Sequence, residues 1–227
     1  MPISEVFNVD CISYMQTLPD KFFDLAITDP EYGIGVANMN MGMGVGKKCS
    51  KKKNRKWTAK DWDNKTPDEI YFEELERISV NRIIWGGNYF DLGVCKHFVI
   101  WDKEIPEGLS FSDCEYAFTS FEGANKIFRH SAYLDKKNKI HPTQKPIALY
   151  KWLIEKYAKQ GDKIFDSHMG SQSSRIAAFN MGFDYWGCEL DEEYFNDGNK
   201  RFIRETMQQS LFTQTATKAE ITQTTIF

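Results

Sequence analysis

The feature that most constrains the fold is an alternation of short apolar runs with amphipathic segments. A near-continuous apolar run such as Phe22–Thr28 is typical of a strand covered on both faces, whereas Ile147–Gln160 places its apolar residues on one helical face. Strands are also predicted at Val6–Val9, Asn81–Trp85, His97–Trp101, Asp113–Phe121, Lys163–Asp166 and Tyr185–Leu190, and helices at Pro67–Ser79 (after a Thr66 cap) and Ser171–Met181. This alternation predicts an α/β sheet.

Length and composition narrow the class of protein. The 227 residues favour one domain with insertions. No apolar run of 18 residues predicts a membrane span, and the N-terminus lacks the basic and apolar regions of a signal peptide. The 5 cysteines are scattered without a CxxC pair, so neither a zinc site nor a disulfide framework is indicated. A reducing cytoplasm is the expected location.

Charge is distributed unevenly along the chain. The stretch Lys47–Lys60 holds eight basic and no acidic residues, so the net charge of −3 becomes −11 without it. A second basic window spans Asn125–Ile140. Basic insertions in an acidic body suggest contact with a polyanion, and tryptophans beside cations can stack on bases. The predicted DNA-binding residues are Lys47, Lys48, Lys51, Lys52, Lys53, Arg55, Lys56 and Trp57. A merely solvated loop is the alternative.

The segment Phe165–Ser174 predicts a ligand-binding turn. A strand ends at Asp166, and a turn of small residues around Gly170 opens a helix, whose N-terminus presents N–H groups. About 20 residues later the next strand ends near Glu189, where an acid can take both hydroxyls of a ribose. Because the turn is not GxGxxG, a nucleoside without a phosphate fits better than a dinucleotide. A purely structural turn is the alternative.

Two other segments add recognition groups. Thr28–Gly35 (TDPEYGIG) follows a strand and offers the Asp29 carboxylate, a carbonyl held by Pro30 and the flat ring of Tyr32. His141–Pro146 (HPTQKP) places a hydroxyl, an amide and an ammonium before a helix, which suits a carboxylate. Each alone could be an ordinary turn.

Together these segments resemble the S-adenosylmethionine-dependent amino DNA methyltransferases, specifically phage and prophage adenine methylases, over about residues 3–203. TDPEYGIG is similar to the DPPY motif, FDSHMGSQSS to the glycine motif, and GCELDEEYF to the strand ending in the ribose-binding acid. HPTQKP matches the methionine-end motif, and the IIWGGNYF, WDK and FTSF segments are also typical. The catalytic motif precedes the cofactor motif, as in the permuted β class.

The resemblance implies a Rossmann-like class I methyltransferase fold, with a mostly parallel seven-stranded sheet and helices on both faces. It implies methyl transfer from S-adenosylmethionine to the exocyclic amine of an adenine flipped out of double-stranded DNA, without a metal. The catalytic residues would be Asp29, Pro30, Glu31 and Tyr32. The cofactor-binding residues would be Asp10, Cys11, Asp29, His141, Thr143, Lys145, Asp166, Ser167, His168, Gly170, Ser171 and Glu189.

Two departures qualify this resemblance. Glu31 replaces the second proline of DPPY, and Gln172 replaces the second glycine of GSG. Loss of the proline is expected to make the turn less rigid, and a carboxylate at position 31 is expected to raise the pKa of Asp29 or its own. Glu31→Pro is therefore predicted to raise the rate at least tenfold. The open alternatives are a pseudoenzyme that binds cofactor and DNA, a cytosine-amine methylase, and a methylase of RNA or protein glutamine. A nucleotide oxidoreductase is disfavoured.

The predicted organisation is a methyltransferase domain over residues 1–205 and a flexible tail over 206–227. The domain carries the basic loop 36–64 and a target-recognition insertion at about 102–140. The tail twice reads Gln-x-x-aliphatic-Phe, from Gln208 and from Gln223, which resembles peptides that dock into sliding clamps. A chance match is the alternative. The resemblance also raises a homodimer and a restriction-modification or phage setting as expectations.

Overall fold

The computed structural model describes residues 1–35, 63–107, 112–132, 134 and 139–223. The predicted DNA-binding residues from Lys47 to Trp57 therefore lie outside the described residues. Within the described ranges no helix is both long and apolar enough to cross a membrane.

Eight strands and five α-helices make up the described chain. The strands are β1 (Ser4–Phe7), β2 (Phe23–Thr28), β3 (Ser79–Trp85), β4 (His97–Asp102), β5 (Cys114–Thr119), β6 (Lys126–Arg129), β7 (Lys163–Asp166) and β8 (Asp184–Cys188). The helices are α1 (Cys11–Met15), α2 (Glu69–Ile78), α3 (Ile147–Tyr157), α4 (Ser173–Met181) and α5 (Glu192–Gln223), with a 3₁₀ turn at Gly87–Tyr89.

All strands form one sheet in the order β1-β8-β7-β2-β3-β5-β4-β6. Five neighbouring pairs are parallel, and β5 runs antiparallel to both β3 and β4. The predicted α/β class is confirmed, but the sheet has eight strands rather than seven. The additional strand β6 pairs with β4. Its four residues, KIFR, begin and end with a charge, so no hydrophobic pattern marks it in the sequence.

Helices cover both faces of the sheet. On one face Leu25, Ile83 and Trp85 pack against residues of α3 and α4, including Leu153 and Ala177. The opposite face is covered by α1 and α2. Its cluster joins Met15, Tyr71 and Leu75 to the strand residues Ala26 and Ile84. Successive residues of a strand point to opposite faces, which explains why the apolar run of β2 is nearly continuous.

The chain reverses its direction across the sheet between β7 and β2. From β2 it proceeds through α2 to β3 on one side, whereas from β7 it proceeds through α4 to β8 on the other. Ligands of open α/β sheets bind beyond the carboxyl ends of the strands at such a point. Asp29 follows β2 and Asp166 ends β7, so the two predicted motifs lie at this position.

Two boundaries differ from the sequence-based expectation. Helix α2 begins at Glu69 and not at Pro67 after Thr66, because Asp68 has an extended backbone (φ −73°, ψ 161°) and forms the N-cap. Helix α5 continues past Thr206 to Gln223. The residues predicted to begin a tail are therefore helical in backbone, and their sliding-clamp role stays a prediction.

Candidate active site

The turn after β2 is fixed by Asp63, a residue outside the recognised sequence motifs. The Asp63 side chain is 2% exposed, and its Oδ1 accepts hydrogen bonds from the backbone N–H groups of Tyr32 and Gly33, both at 2.9 Å. The Asp63 carbonyl accepts a third from Gly35 at 3.0 Å. Pro30 is buried at the start of the same turn. The TDPEYGIG segment is therefore held by its backbone, which leaves its side chains available for chemistry.

The ring of Tyr32 lies against the IIWGGNYF segment. A β-carbon at Gly86, whose φ is +71°, would lie 2.1 Å from Tyr32 Cε1, so only glycine admits the tyrosine there. Tyr89 stacks on Tyr32 with ring centroids 4.9 Å apart and an interplanar angle of 14°. The residues of IIWGGNYF thus position the tyrosine of the catalytic motif.

Asp29 is held by two of the predicted segments at once. Its Oδ1 accepts a hydrogen bond from the Tyr32 hydroxyl at 2.5 Å, and its Oδ2 forms an ion pair with Lys145 of HPTQKP. The ammonium of Lys145 also lies 3.0 Å from Glu115 Oε2 on β5. Lys103, which follows β4, reaches Glu115 Oε1 at 3.3 Å. Four charged groups therefore alternate in sign from the catalytic motif to the far half of the sheet.

Burial and charge set the protonation of this group. Burial raises the pKa of Asp29, Lys145 opposes this rise and Glu115 adds to it, and the net direction is upward. Burial alone would raise the pKa of Glu115, but Lys145 and Lys103 bring it below its usual range. Burial would lower the pKa of Lys145, yet Asp29 and Glu115 raise it. At neutral pH Lys145 is therefore protonated and Glu115 ionised.

The turn after β7 is stabilised by two carboxylates. Asp166 accepts hydrogen bonds from the backbone N–H of His168 at 3.0 Å and from the Ser174 hydroxyl at 2.5 Å. Burial raises its pKa to about 6. Glu189 accepts from the backbone N–H groups of Gly170 at 2.8 Å and Asp191 at 2.9 Å. Burial also raises the pKa of Glu189.

Glu31 does not behave as the sequence suggests. Its carboxylate lies 3.3 Å from His168 Nε2, so it points across to the turn after β7 and pairs with a cation. Burial disfavours the charged form of both groups, but each charge stabilises the charged form of its partner. The pKa of Glu31 is lowered as a result, and the pKa of His168 is raised well above 6.5. The expected rise in pKa caused by repulsion between Glu31 and Asp29 is therefore wrong for Glu31. For Asp29, the neighbouring carboxylate that raises its pKa is Glu115.

Ser167 and Cys11 complete the surroundings of His168. Ser167 Oγ lies 2.9 Å from His168 Nδ1 and 2.7 Å from the Tyr71 hydroxyl, which belongs to α2. Cys11 Sγ lies 3.9 Å from His168 Nε2. His168 thus connects α1, α2 and the two predicted motifs.

Gln172, the second departure, turns away from the cofactor motif. It has a left-handed φ of 58° and is fully buried. Its amide donates to the carbonyl of Phe195 at 3.2 Å and to Asn199 Oδ1 at 3.3 Å, both on α5. A β-carbon at Gly198 would lie 2.6 Å from this amide, so a glycine on α5 makes the room that the larger side chain needs.

The other predicted site residues have local partners. Asp10 caps α1, accepting from the backbone N–H and the hydroxyl of Ser13, both at 2.8 Å. Thr143 Oγ1 lies 3.1 Å from His141 Nδ1. Ser171 and Ser173 share a 3.3 Å hydroxyl contact, and Arg201 of α5 donates to the Ser171 carbonyl at 2.6 Å.

The structure therefore brings most of the predicted catalytic and cofactor-binding residues to the carboxyl ends of the central strands β2 and β7. Asp29, Tyr32 and Lys145 are in direct contact, as are Glu31 and His168. Sequence reasoning missed Asp63, Glu115, Lys103, Gly198 and Arg201. Lys103 and Phe118–Phe121 belong to the WDK and FTSF segments, but nothing in the sequence indicated that Glu115 or Asp63 would face the motif.

Comparison with known proteins decides the family. A sequence profile described as DNA methylase matches residues 38–200, which is more than half of the chain. The chain belongs to the N6/N4 DNA methylase family. The family predicted from the motifs is thereby confirmed, although adenine specificity and a phage origin are not part of that result.

Individual relatives of this DNA methylase are distant. YubD of Escherichia coli (strain K12), a protein named as a methylase, is 24% identical over 233 residues that cover 91% of this chain and 94% of its own. The crystal structure of the M1.HpyAVI–SAM complex matches with a TM-score of 0.58 at 20% identity, covering 87% of this chain and 98% of that one. The cytosine-N4-specific PvuII DNA methyltransferase also reaches 0.58, at 12% identity and 88% and 87% coverage. These structures show the fold.

Proposed function

We propose that this DNA methylase transfers the methyl group of S-adenosylmethionine to the exocyclic amine of an adenine flipped out of double-stranded DNA. One observation carries the proposal. Three segments that are far apart in the sequence meet at the switch point of the sheet, through the Asp29–Lys145 and Glu31–His168 ion pairs. These segments are those in which an amino methyltransferase keeps its catalytic and cofactor-binding groups.

The residues at the switch point fit S-adenosylmethionine. Gly170 has a left-handed φ of +43°, and a β-carbon there would be in ordinary van der Waals contact with the ring of His141 at 3.7 Å, so the turn lies directly beside HPTQKP. The Asp166 and Glu189 carboxylates accept backbone N–H groups of the same turn, and Asp10 precedes Cys11, whose sulfur lies 3.9 Å from His168. Carboxylates suit hydroxyl and ammonium groups. Each Glu189 oxygen accepts one backbone N–H and would have its second lone pair for a ribose hydroxyl.

The chain's own residues would act by positioning. When bound, S-adenosylmethionine supplies an electrophilic methyl group. The Asp29 carboxylate and the Pro30 carbonyl would accept the two N–H groups of the amine, so that its lone pair becomes available. Because the amine gains positive charge during the transfer, an ionised Asp29 stabilises the transition state more than the ground state. Tyr32 provides a flat face for the base, worth on the order of 1–3 kcal/mol.

Access to the amine requires that the base leave the duplex, at a cost of a few kcal/mol. We propose that the basic residues between Lys47 and Lys60 offset this cost through phosphate contacts. The family membership and the basic composition of this segment support DNA as the substrate.

Transfer to the N4 amine of cytosine is the second candidate. The cytosine-N4-specific PvuII enzyme matches this fold with the same TM-score, 0.58, as M1.HpyAVI. Asp29 at the first motif position favours adenine, because the resembling cytosine enzymes more often have serine there.

Nucleoside mass spectrometry separates these candidates. DNA is taken from cells without other DNA methylases that express either the wild-type chain or its Asp29→Asn variant. N6-methyladenine in the wild-type sample alone supports the proposal, and N4-methylcytosine supports the second candidate. A wild-type protein that binds S-adenosylmethionine in calorimetry but yields neither base overturns both, and leaves the pseudoenzyme and the RNA or protein methylase as the alternatives.

A further inference from the structure

Glu115 is a carboxylate beside the catalytic motif without a role in the proposed reaction. Its side chain on β5 is 25% exposed, and both of its oxygens face lysines, Lys103 at 3.3 Å and Lys145 at 3.0 Å. Lys145 itself is only 2% exposed, so water does little to screen its charge. A carboxylate enclosed between two ammonium groups at this position calls for an explanation.

The position of Lys145 is an obstacle to the proposed reaction, because its ammonium pairs with the carboxylate of Asp29. The proposed reaction requires Asp29 to accept an N–H group of an amine that becomes positively charged. In the structure the Asp29 Oδ2 atom is paired with the Lys145 ammonium, and Oδ1 is bonded to Tyr32. The Lys145 ammonium neutralises the Asp29 carboxylate, which should stabilise the positive charge that develops on the amine. The ammonium also repels that developing charge.

Glu115 offers Lys145 a second carboxylate on the opposite side. Asp29, Lys145 and Glu115 together carry a net charge of −1, which Lys103 balances on the far side of Glu115. Without Glu115, Asp29 would be the one carboxylate in this group that pairs with Lys145. A small movement of Lys145 toward Glu115 keeps its charge paired while Asp29 is released, so no buried charge is left without a partner.

We propose that Glu115 is a positioning residue that draws Lys145 away from Asp29, so that the Asp29 carboxylate is available to the target amine. This inference rests on the proposed methyl transfer and adds to it a residue outside the recognised motifs. It also explains why a lysine follows the Trp-Asp pair at the end of β4, since Lys103 holds Glu115 from the other side.

The experiment compares Glu115→Gln with the wild-type chain and with Glu122→Gln. Glu122 follows the same strand but pairs with Lys96 on the surface, so its variant removes an equal charge away from the site. Turnover is measured on genomic DNA over a range of S-adenosylmethionine concentrations that extends to saturation. We expect Glu115→Gln to lower kcat at least tenfold with KM for S-adenosylmethionine within twofold, and Glu122→Gln to leave both unchanged.

The pH profile distinguishes positioning from mere support of the fold. The charged and titratable groups around Glu115 are Asp29, Tyr32, Lys145, Lys103 and Tyr150. Since the Glu115 charge raises the pKa of Asp29, its removal should move the acidic limb of kcat to lower pH. A variant that only loosened the fold would lose activity without this movement, and thermal unfolding checks that the variant is folded.

A second readout does not depend on turnover. In protein labelled with ¹⁵N-lysine, NMR follows the deprotonation of the Lys145 ammonium. This deprotonation should occur at a lower pH in Glu115→Gln, because burial lowers the pKa of Lys145 and only Asp29, instead of Asp29 and Glu115, then raises it. An unchanged Lys145 titration, or a kcat equal to that of the wild type, overturns the inference. A wild-type chain without turnover contradicts the proposed function instead, and the Lys145 titration still decides the charge arrangement.

Discussion

At the scale of single residues, the two departures from the family pattern have partners of their own. Glu31 faces His168 at 3.3 Å, and Gln172 packs against Gly198. The expectation that Glu31→Pro speeds the reaction rested on lost proline rigidity and on a raised carboxyl pKa, whereas His168 lowers the pKa of Glu31. Substitution by proline would instead leave His168 without its carboxylate. The departures therefore give the pseudoenzyme alternative less support than the sequence suggested.

The Glu31–His168 pair predicts a pH-dependent loss of stability in Glu31→Gln. The lowered pKa of Glu31 stabilises the fold above about pH 4.5, and this contribution is lost as the pH falls through its folded value. The raised pKa of His168 stabilises below about pH 6.5, and this is lost as the pH rises through its folded value. We expect a loss of about 1–2 kcal/mol, largest between these limits.

Urea unfolding at several pH values measures this difference. Asp197→Asn, which removes one partner of an exposed pair with Lys200, serves as the control and should cost less than about 0.5 kcal/mol. A Glu31→Gln penalty that is the same at pH 3 and pH 6 would contradict the pairing.

Glu189 supports a second prediction about single residues. Its carboxylate already orders Gly170, and in the proposed complex it also holds the ribose. Glu189→Ala should weaken the binding of S-adenosylmethionine by about 1.5–3 kcal/mol, the value of charge-assisted hydrogen bonds. Calorimetry measures this, with the exposed Glu192→Ala as control. Equal affinities for both variants would remove Glu189 from the cofactor site.

At the scale of elements, α5 supports the turn after β7. Gln172, Arg175 and Arg201 all connect this turn or α4 to α5. Arg175 also lies 3.8 Å from the ring centroid of Phe202. Helix α5 thus holds the cofactor motif in position, a role that the sequence did not predict for it.

The contact of Gln172 with Gly198 predicts a coupled pair of substitutions. A β-carbon at Gly198 would lie within 2.8 Å of three Gln172 atoms, so Gly198→Ala should destabilise the protein by about 1–3 kcal/mol. In a Gln172→Gly background the same substitution should be neutral or stabilise by up to about 1 kcal/mol, because alanine favours a helix. A double-mutant cycle by chemical unfolding measures the coupling. Additive effects would show that the two residues do not interact.

At the scale of the whole molecule, a chain of net negative charge has a concentration of positive charge in the segment Lys47–Lys60. We predict that replacing Lys51, Lys52, Lys53 and Arg55 by alanine weakens binding to all DNA sequences alike. The slope of log affinity against log salt should fall by up to about 0.9 for each phosphate that the variant no longer neutralises. Fluorescence anisotropy with two unrelated duplexes measures both effects.

The control for this charge effect removes four exposed basic residues that lie in or just after helices, Lys156, Lys159, Lys200 and Arg204. This variant has the same net charge but keeps the basic loop, so its salt slope should stay close to that of the wild type. If both variants change the slope equally, binding depends on total charge rather than on the loop.

The sequence by itself determined the fold class and the family, and it predicted the location of the candidate site. Hydrophobic periodicity reports which residues are buried, and motifs such as HPTQKP are contiguous, so both can be read along the chain. The strand β7 was predicted with its observed bounds, Lys163–Asp166.

Only the tertiary structure decided which side chains meet. Lys145 and Asp29 are 116 residues apart in the sequence. Glu115 reaches Lys145 from strand β5. Spatial neighbours of this kind depend on strand order and register, which leave no local pattern. The same holds for Glu31, because the sequence reveals its charge but not the histidine that balances it.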